Sequence, residues 1–157
     1  MEFTFTQQNL EKIDQILKKY PTKKAALMPL LWLAQEQNGF ISGEVMKSVA
    51  SILEVSLEEV LGVVTFYTMY HQHEMGKYHF QVCTNVSCLL RGGYDIWNHV
   101  RSKLEIENGQ VTSDKKFSLE EVECMGSCGS APMMAVNEDY YENLSLDQVD
   151  QIIESFK

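Results

Sequence analysis

An α+β fold, all-helical at first and mixed in its second half, is predicted by three features of this 157-residue sequence. Apolar residues recur at helical spacing as far as about Tyr70, the pattern changes to strand-like alternation near Lys77, and all four cysteines fall after that change. With 45% of residues apolar or aromatic and 22% charged, the composition is that of a globular protein with a real core.

The first helix is predicted over 9–20, where Leu10, Ile13, Ile16 and Leu17 share one face and Pro21 ends the run. Leu27, Leu30, Leu31 and Ala34 mark a second helix that stops at Asn38-Gly39, with Pro29 expected in its early turn or at a kink. Met46, Val49, Ala50 and Leu53 mark a third, and Ser56 with Glu59 offers a capping box for a fourth carrying Val60, Leu61 and Val64. After the change of period, 77–82 reads as a strand, 94–104 as a helix and 107–110 as a polar loop. Segments 117–123 and 133–136 read as strands, and Tyr140-Tyr141 pairs back across a turn. Ser145 and Gln148 cap a last helix with Leu146, Val149, Ile152, Ile153 and Phe156 inside. The boundary between the helical part and the mixed part falls at 73/74, giving expected domains 1–73 and 74–157.

The 22 acidic against 13 basic side chains, net charge -9 with no Lys or Arg run, argue against a nucleic-acid or anionic-membrane surface. The longest nearly apolar stretch, 25–34, is broken by Pro29 and falls well short of the roughly 20 residues that span a bilayer, so no direct membrane insertion is expected. The segment 1–6 has neither the basic nor the apolar region of a secretory signal, which makes the cytoplasm the expected compartment.

Four residues separate Cys83 from Cys88 and three separate Cys124 from Cys128, each pair just after a predicted strand among small residues. Two close thiolate pairs suit a two-iron cluster, because each pair can chelate one tetrahedral iron while sulfides bridge between them. Structural zinc is the rival reading, although neither pair has the C-x-x-C knuckle usual in four-cysteine zinc sites. In that reading the chain is a structural scaffold module rather than an electron carrier. His71, His73, His79 and His99 read as packing or surface residues, none standing at Rieske spacing to a cysteine. Met125, Met133 and Met134 are candidates to insulate a cluster, with core filling as the commoner use. The carboxylates Glu120, Glu121 and Glu123 read as a solvated face. No nucleophile–base set, P-loop or dinucleotide fingerprint appears, so no catalytic residue is assigned to this chain.

Three segments carry a resemblance: Val64-Thr65-Phe66-Tyr67-Thr68-Met69-Tyr70; Gly76-Lys77-Tyr78-His79-Phe80-Gln81-Val82-Cys83-Thr84-Asn85; and Val122-Glu123-Cys124-Met125-Gly126-Ser127-Cys128-Gly129-Ser130-Ala131-Pro132. The chain resembles, over nearly its whole length, the thioredoxin-like [2Fe-2S] subunits of NADH:quinone oxidoreductase, respiratory complex I. Both cysteine spacings match that family, so the resemblance implies Cys83, Cys88, Cys124 and Cys128 as the metal and cofactor ligands of one [2Fe-2S] cluster. One departure is Glu74-Met75, where many members place a proline before the Gly-Lys-Tyr entry to the first strand.

The resemblance further implies an N-terminal helical bundle followed by a thioredoxin-like ferredoxin domain. It implies a partner, the flavin- and NADH-binding subunit, which carries FMN and NAD and lies in the peripheral arm of a membrane-associated complex. Equivalent subunits serve NAD-linked hydrogenases and formate dehydrogenases. Phe66, Tyr67, Met69 and Tyr70 are the expected docking residues, against the alternative that they fill the seam between the two halves. A low-potential centre is expected from the acidic chain, with Glu121 and Glu123 close to Cys124 and backbone N–H groups of the Gly126 and Gly129 segments opposing them.

Overall fold

The computed structural model describes residues 3–156. The chain divides into two compact units, Met1–Glu74 and Met75–Lys157, each with its own core.

The first unit holds helices α1 (Gln7–Leu17), α2 (Leu27–Asn38), α3 (Gly43–Leu53) and α4 (Leu57–Phe66). Helix α1 starts earlier than the periodicity predicts because the Thr6 hydroxyl accepts the Asn9 amide, and it ends at Leu17, leaving Lys18–Tyr20 as a turn. A 3-10 turn over Lys23–Ala26 leads into α2, so Pro29 lies in a first turn, where a missing N–H costs nothing. Ser42 caps α3 and Ser56 caps α4, the latter with the reciprocal Glu59 bond of a full capping box. Leu30, Leu31, Val45, Val49, Val60 and Val64 are sealed from solvent at the centre.

One expected docking residue belongs to this interior. Tyr70 is 3% exposed and its hydroxyl donates to the Met28 carbonyl at 3.0 Å, while burial pushes its phenol up to about 12. It is a core residue. Phe66, Tyr67 and Met69 are exposed. The His71 backbone amide donates to the side-chain carbonyl of buried Gln35 at 2.7 Å.

The second unit comprises β1 (Tyr78–Cys83), α5 (Val86–Leu90), α6 (Gly93–Leu104), β2 (Gln110–Val111), β3 (Phe117–Val122), β4 (Met134–Val136), β5 (Asp139–Tyr141) and α7 (Leu146–Ser155). Among the described residues the strands form one mixed sheet in the order β2-β3-β1-β4-β5. Only β1 and β3 run parallel; the other pairings are antiparallel. The α+β expectation therefore holds, with helices and a mixed sheet in the expected sequence. Phe80 and Val82 of β1, Leu119 of β3 and Met134 of β4 meet Trp97 and Val100 of α6 and Val149 and Ile153 of α7. Each such side chain, fully buried, contributes roughly 1.5–3 kcal/mol of transfer free energy. His79 lies opposite Ser118 in register, with Nδ1 2.9 Å from Ser118 Oγ and Nε2 3.1 Å from Glu120 Oε2, a packed histidine as expected. No described helix is long and apolar enough to cross a membrane.

Candidate metal centre

The site is assembled by the one parallel pairing in the sheet. Register places Cys83 directly opposite Val122, so the loops leaving β1 and β3 emerge at the same end, the carboxyl end of two parallel strands. The first loop runs from Cys83 through Asn85, which caps α5 by accepting the Val86 amide, to Cys88 within that helix. The second runs from Cys124 to Cys128, which opens a 3-10 turn over Cys128–Ser130. All four sequence-predicted cysteines thus come to one end of the sheet.

The two pairs differ in surroundings. Cys83 and Cys88 are 3% and 2% exposed and pack with Ala131 and Met133, with Met125 partly buried against them. The Cys83 amide donates to the Met133 carbonyl at 3.3 Å, which pins the end of β1 to the strand beside it. Helix α6 begins against this loop at Gly93, where a Cβ would stand 2.8 Å from the Cys88 carbonyl carbon and 3.0 Å from the Cys83 carbonyl oxygen. Only glycine allows that approach. Burial, and next the hydrogen bond with Cys83, push the Cys88 thiol up to about 11.

Cys124 and Cys128 are solvent-exposed, with their sulfurs 3.3 Å apart. The Gly126 amide donates to Cys124 Sγ at 3.4 Å from a left-handed turn at φ +91°, and this bond, followed by the contact with Cys128, holds the Cys124 thiol below its ordinary value. The hydrogen bond shared with Cys124, and the charge there, push Cys128 the other way. The charge of Cys128 is felt by Cys88, and that of Cys83 by Cys128, so the four thiols form one electrostatic unit.

Hydrogen bonds join the first loop to the end of β3 and the residue leading into the second loop. Thr84 Oγ1 donates to Glu121 Oε1 at 2.7 Å and Asn85 Nδ2 to Glu123 Oε2 at 2.6 Å. Two of the carboxylates read from the sequence as a solvated face, Glu121 and Glu123, are tethers. Tyr140 of β5 donates its hydroxyl to the Met125 carbonyl at 3.2 Å, and the Ser130 hydroxyl donates to Glu142 at 2.6 Å. Of the methionines, Met133 and Met125 line the thiols, whereas Met134 fills the sheet core.

The donor set fits an iron–sulfur group. It is four soft thiols in two pairs, and two sulfurs on one tetrahedral metal at about 2.3 Å each stand about 3.8 Å apart, a short side-chain adjustment from the contact between Cys124 and Cys128. Among the described residues no three His, Cys, Asp or Glu side chains gather as a set for a single ion.

The fold and this thiol basin define a redox-type protein, a thioredoxin-like α+β domain with four thiols at one sheet end, preceded by a helical unit. The family model of thioredoxin-like [2Fe-2S] ferredoxins matches residues 13–157, and the chain belongs to that family, whose cofactor is a [2Fe-2S] cluster. The E subunit of NADH-quinone oxidoreductase from Rickettsia bellii is 43% identical over 158 residues, covering 99% of this chain and 95% of its own length. The E 2 subunit of the same enzyme from Rhizobium meliloti is 40% identical over 147 residues, covering 94% and 88%. In a crystal structure of a NAD+-reducing [NiFe]-hydrogenase in its air-oxidized state, a matching region shares the fold at TM-score 0.68 and 20% identity. That match takes in 81% of this chain and 22% of the hydrogenase chain.

Proposed function

We propose that this chain is the one-electron carrier subunit of an NADH dehydrogenase module of respiratory complex I, holding one [2Fe-2S] cluster on Cys83, Cys88, Cys124 and Cys128. The observation that carries this reading is the convergence of two thiol pairs at the end of β1 and β3, in a chain 43% identical over nearly its full length to the Rickettsia bellii protein. The cluster, when bound, supplies a site for a single electron.

The chain's own residues prepare that site. Ala131, Met133 and Met125 keep water from the first pair, the Gly126 amide favours the thiolate of Cys124, and the Thr84–Glu121 and Asn85–Glu123 bonds hold the loops in register. In this reading residues 1–73 are a helical domain and 74–157 the cluster domain. The partner is the flavin- and NADH-binding subunit, which brings FMN and NAD, and the assembly works on the cytoplasmic side in a peripheral arm.

Serine substitution tests the ligand set. Cys83→Ser, Cys88→Ser, Cys124→Ser and Cys128→Ser each replace a soft thiolate with a hard oxygen and are expected to lose or distort the visible absorbance and the reduced paramagnetic signal. An unaltered reduced spectrum in any one variant removes that residue from the set.

A further inference from the structure

We infer that Arg91 is a positioning residue of the cluster site, clamping the second cysteine loop to the first and supplying a positive charge at Gly129 and Ala131, just beyond Cys128. The inference rests on the ligand set proposed above.

Arg91 directly follows α5, and its amide donates to the carbonyl of Cys88 at 3.0 Å, so its backbone belongs to the first loop. Its side chain reaches the second. The guanidinium Nη1 donates to the Gly129 carbonyl at 3.3 Å and to the Ala131 carbonyl at 3.4 Å, the residues on either side of Ser130 and immediately beyond Cys128. One side chain thereby spans the two halves of the site.

The charge is as distinctive as the reach. Arg91 is the sole Lys or Arg between Tyr78 and Val100, and there is none from Phe117 to Phe156, although these stretches hold both loops and four of the five strands. They also hold Glu120, Glu121, Glu123 and Glu142, of which Glu121 and Glu123 bond to the first loop and Glu142 to Ser130. The acceptors of Arg91 are neutral carbonyls, so they leave its charge uncancelled. An added electron makes the site more negative, and a fixed cation favours that state. Lysine would keep the charge but concentrates its donors at one flexible ammonium rather than in a planar fork.

These two roles separate experimentally in the full-length protein purified with its cluster. Wild type, Arg91→Lys and Arg91→Gln are compared by redox titration followed by electron paramagnetic resonance at low and high salt, and by the rate of bleaching in excess chelator. Arg91→Gln is expected to lower the equilibrium constant for reduction about threefold at low salt and less at 1 M salt, since an exposed charge is screened. Its bleaching is expected to quicken about fivefold, the loss of roughly one hydrogen bond. Arg91→Lys should keep the wild-type midpoint and share the faster bleaching. An Arg91→Gln protein with wild-type midpoint overturns the electrostatic role, and wild-type bleaching in both variants overturns the clamp. Wild-type protein without iron and acid-labile sulfide overturns the ligand set itself and this inference with it, an outcome distinct from cluster-bearing variants that behave as wild type.

Discussion

Cys83 and Cys88 are buried, whereas Cys124 and Cys128 stand in solvent, although both pairs leave the same end of β1 and β3. The first loop is an extension of the core. Its cysteines share a small apolar cluster with Ala131 and Met133, and Gly93 lets α6 press against its backbone. The second loop is fastened by polar contacts from Tyr140, Ser130, Asn85 and Arg91, each worth about 1 kcal/mol. The contrast shows two ways of preorganising thiols. Packing fixes the first pair, and hydrogen bonds aim the second while leaving it open to water and to a partner.

The largest expected effect is on the packed side. Met133→Ala removes a side chain that is 1% exposed beneath Cys83 and Cys88 and is expected to cost about 2–5 kcal/mol of stability in chemical denaturation. Tyr140→Phe, which deletes one exposed hydroxyl bond on the other loop, is expected to cost no more than about 1.5 kcal/mol. Equal losses would erase the distinction between a packed and a tethered loop.

Thiol reactivity gives a sharper contrast of intermediate size. Alkylation requires thiolate, and its rate rises as pH approaches the thiol pKa. In the metal-free chain Cys124, held below its ordinary value, is expected to react at a lower pH than Cys128, which is pushed above it. Cys88, pushed up to about 11 and buried, should lag Cys124 more than tenfold near neutral pH. Peptide-resolved mass spectrometry reads the order directly, and a shared pH profile for Cys88 and Cys124 would contradict it.

The smallest expected effect concerns charge on the tethered side. Glu123→Gln keeps an oxygen to accept the bond from Asn85 and removes only the negative charge, so loop geometry should persist while the midpoint moves upward by a small amount. A lowered midpoint in a correctly folded variant would refute the local charge argument.

Much of this was readable from local pattern. Helical period and the capping pairs Ser56–Glu59 and Ser145–Gln148 act over a few residues, and the structure follows them. Features that depend on distant partners were not legible. The short helix α5 spans five residues, too few for a period to show, and β2 is a two-residue strand that exists through its pairing with Leu119 and Ser118. Glu121 and Glu123 read as solvated because Thr84 and Asn85, their partners, lie 37 and 38 residues away. Tyr70 sits in an aromatic run that suggested a surface patch, and only the fold brings its hydroxyl to Met28. The Gly126 amide reaches a sulfur as its position suggested, while Gly129 offers its carbonyl to Arg91.

The central claim is that four thiols in two pairs hold a two-iron group, and counting that group is its most direct test. Purified protein is expected to be reddish, to contain about two irons and two acid-labile sulfides per chain, and to give the signal of a single unpaired spin after one-electron reduction. Stoichiometric zinc without sulfide, in protein that retains its fold, would contradict the account and leave the cysteines as ligands of a structural ion.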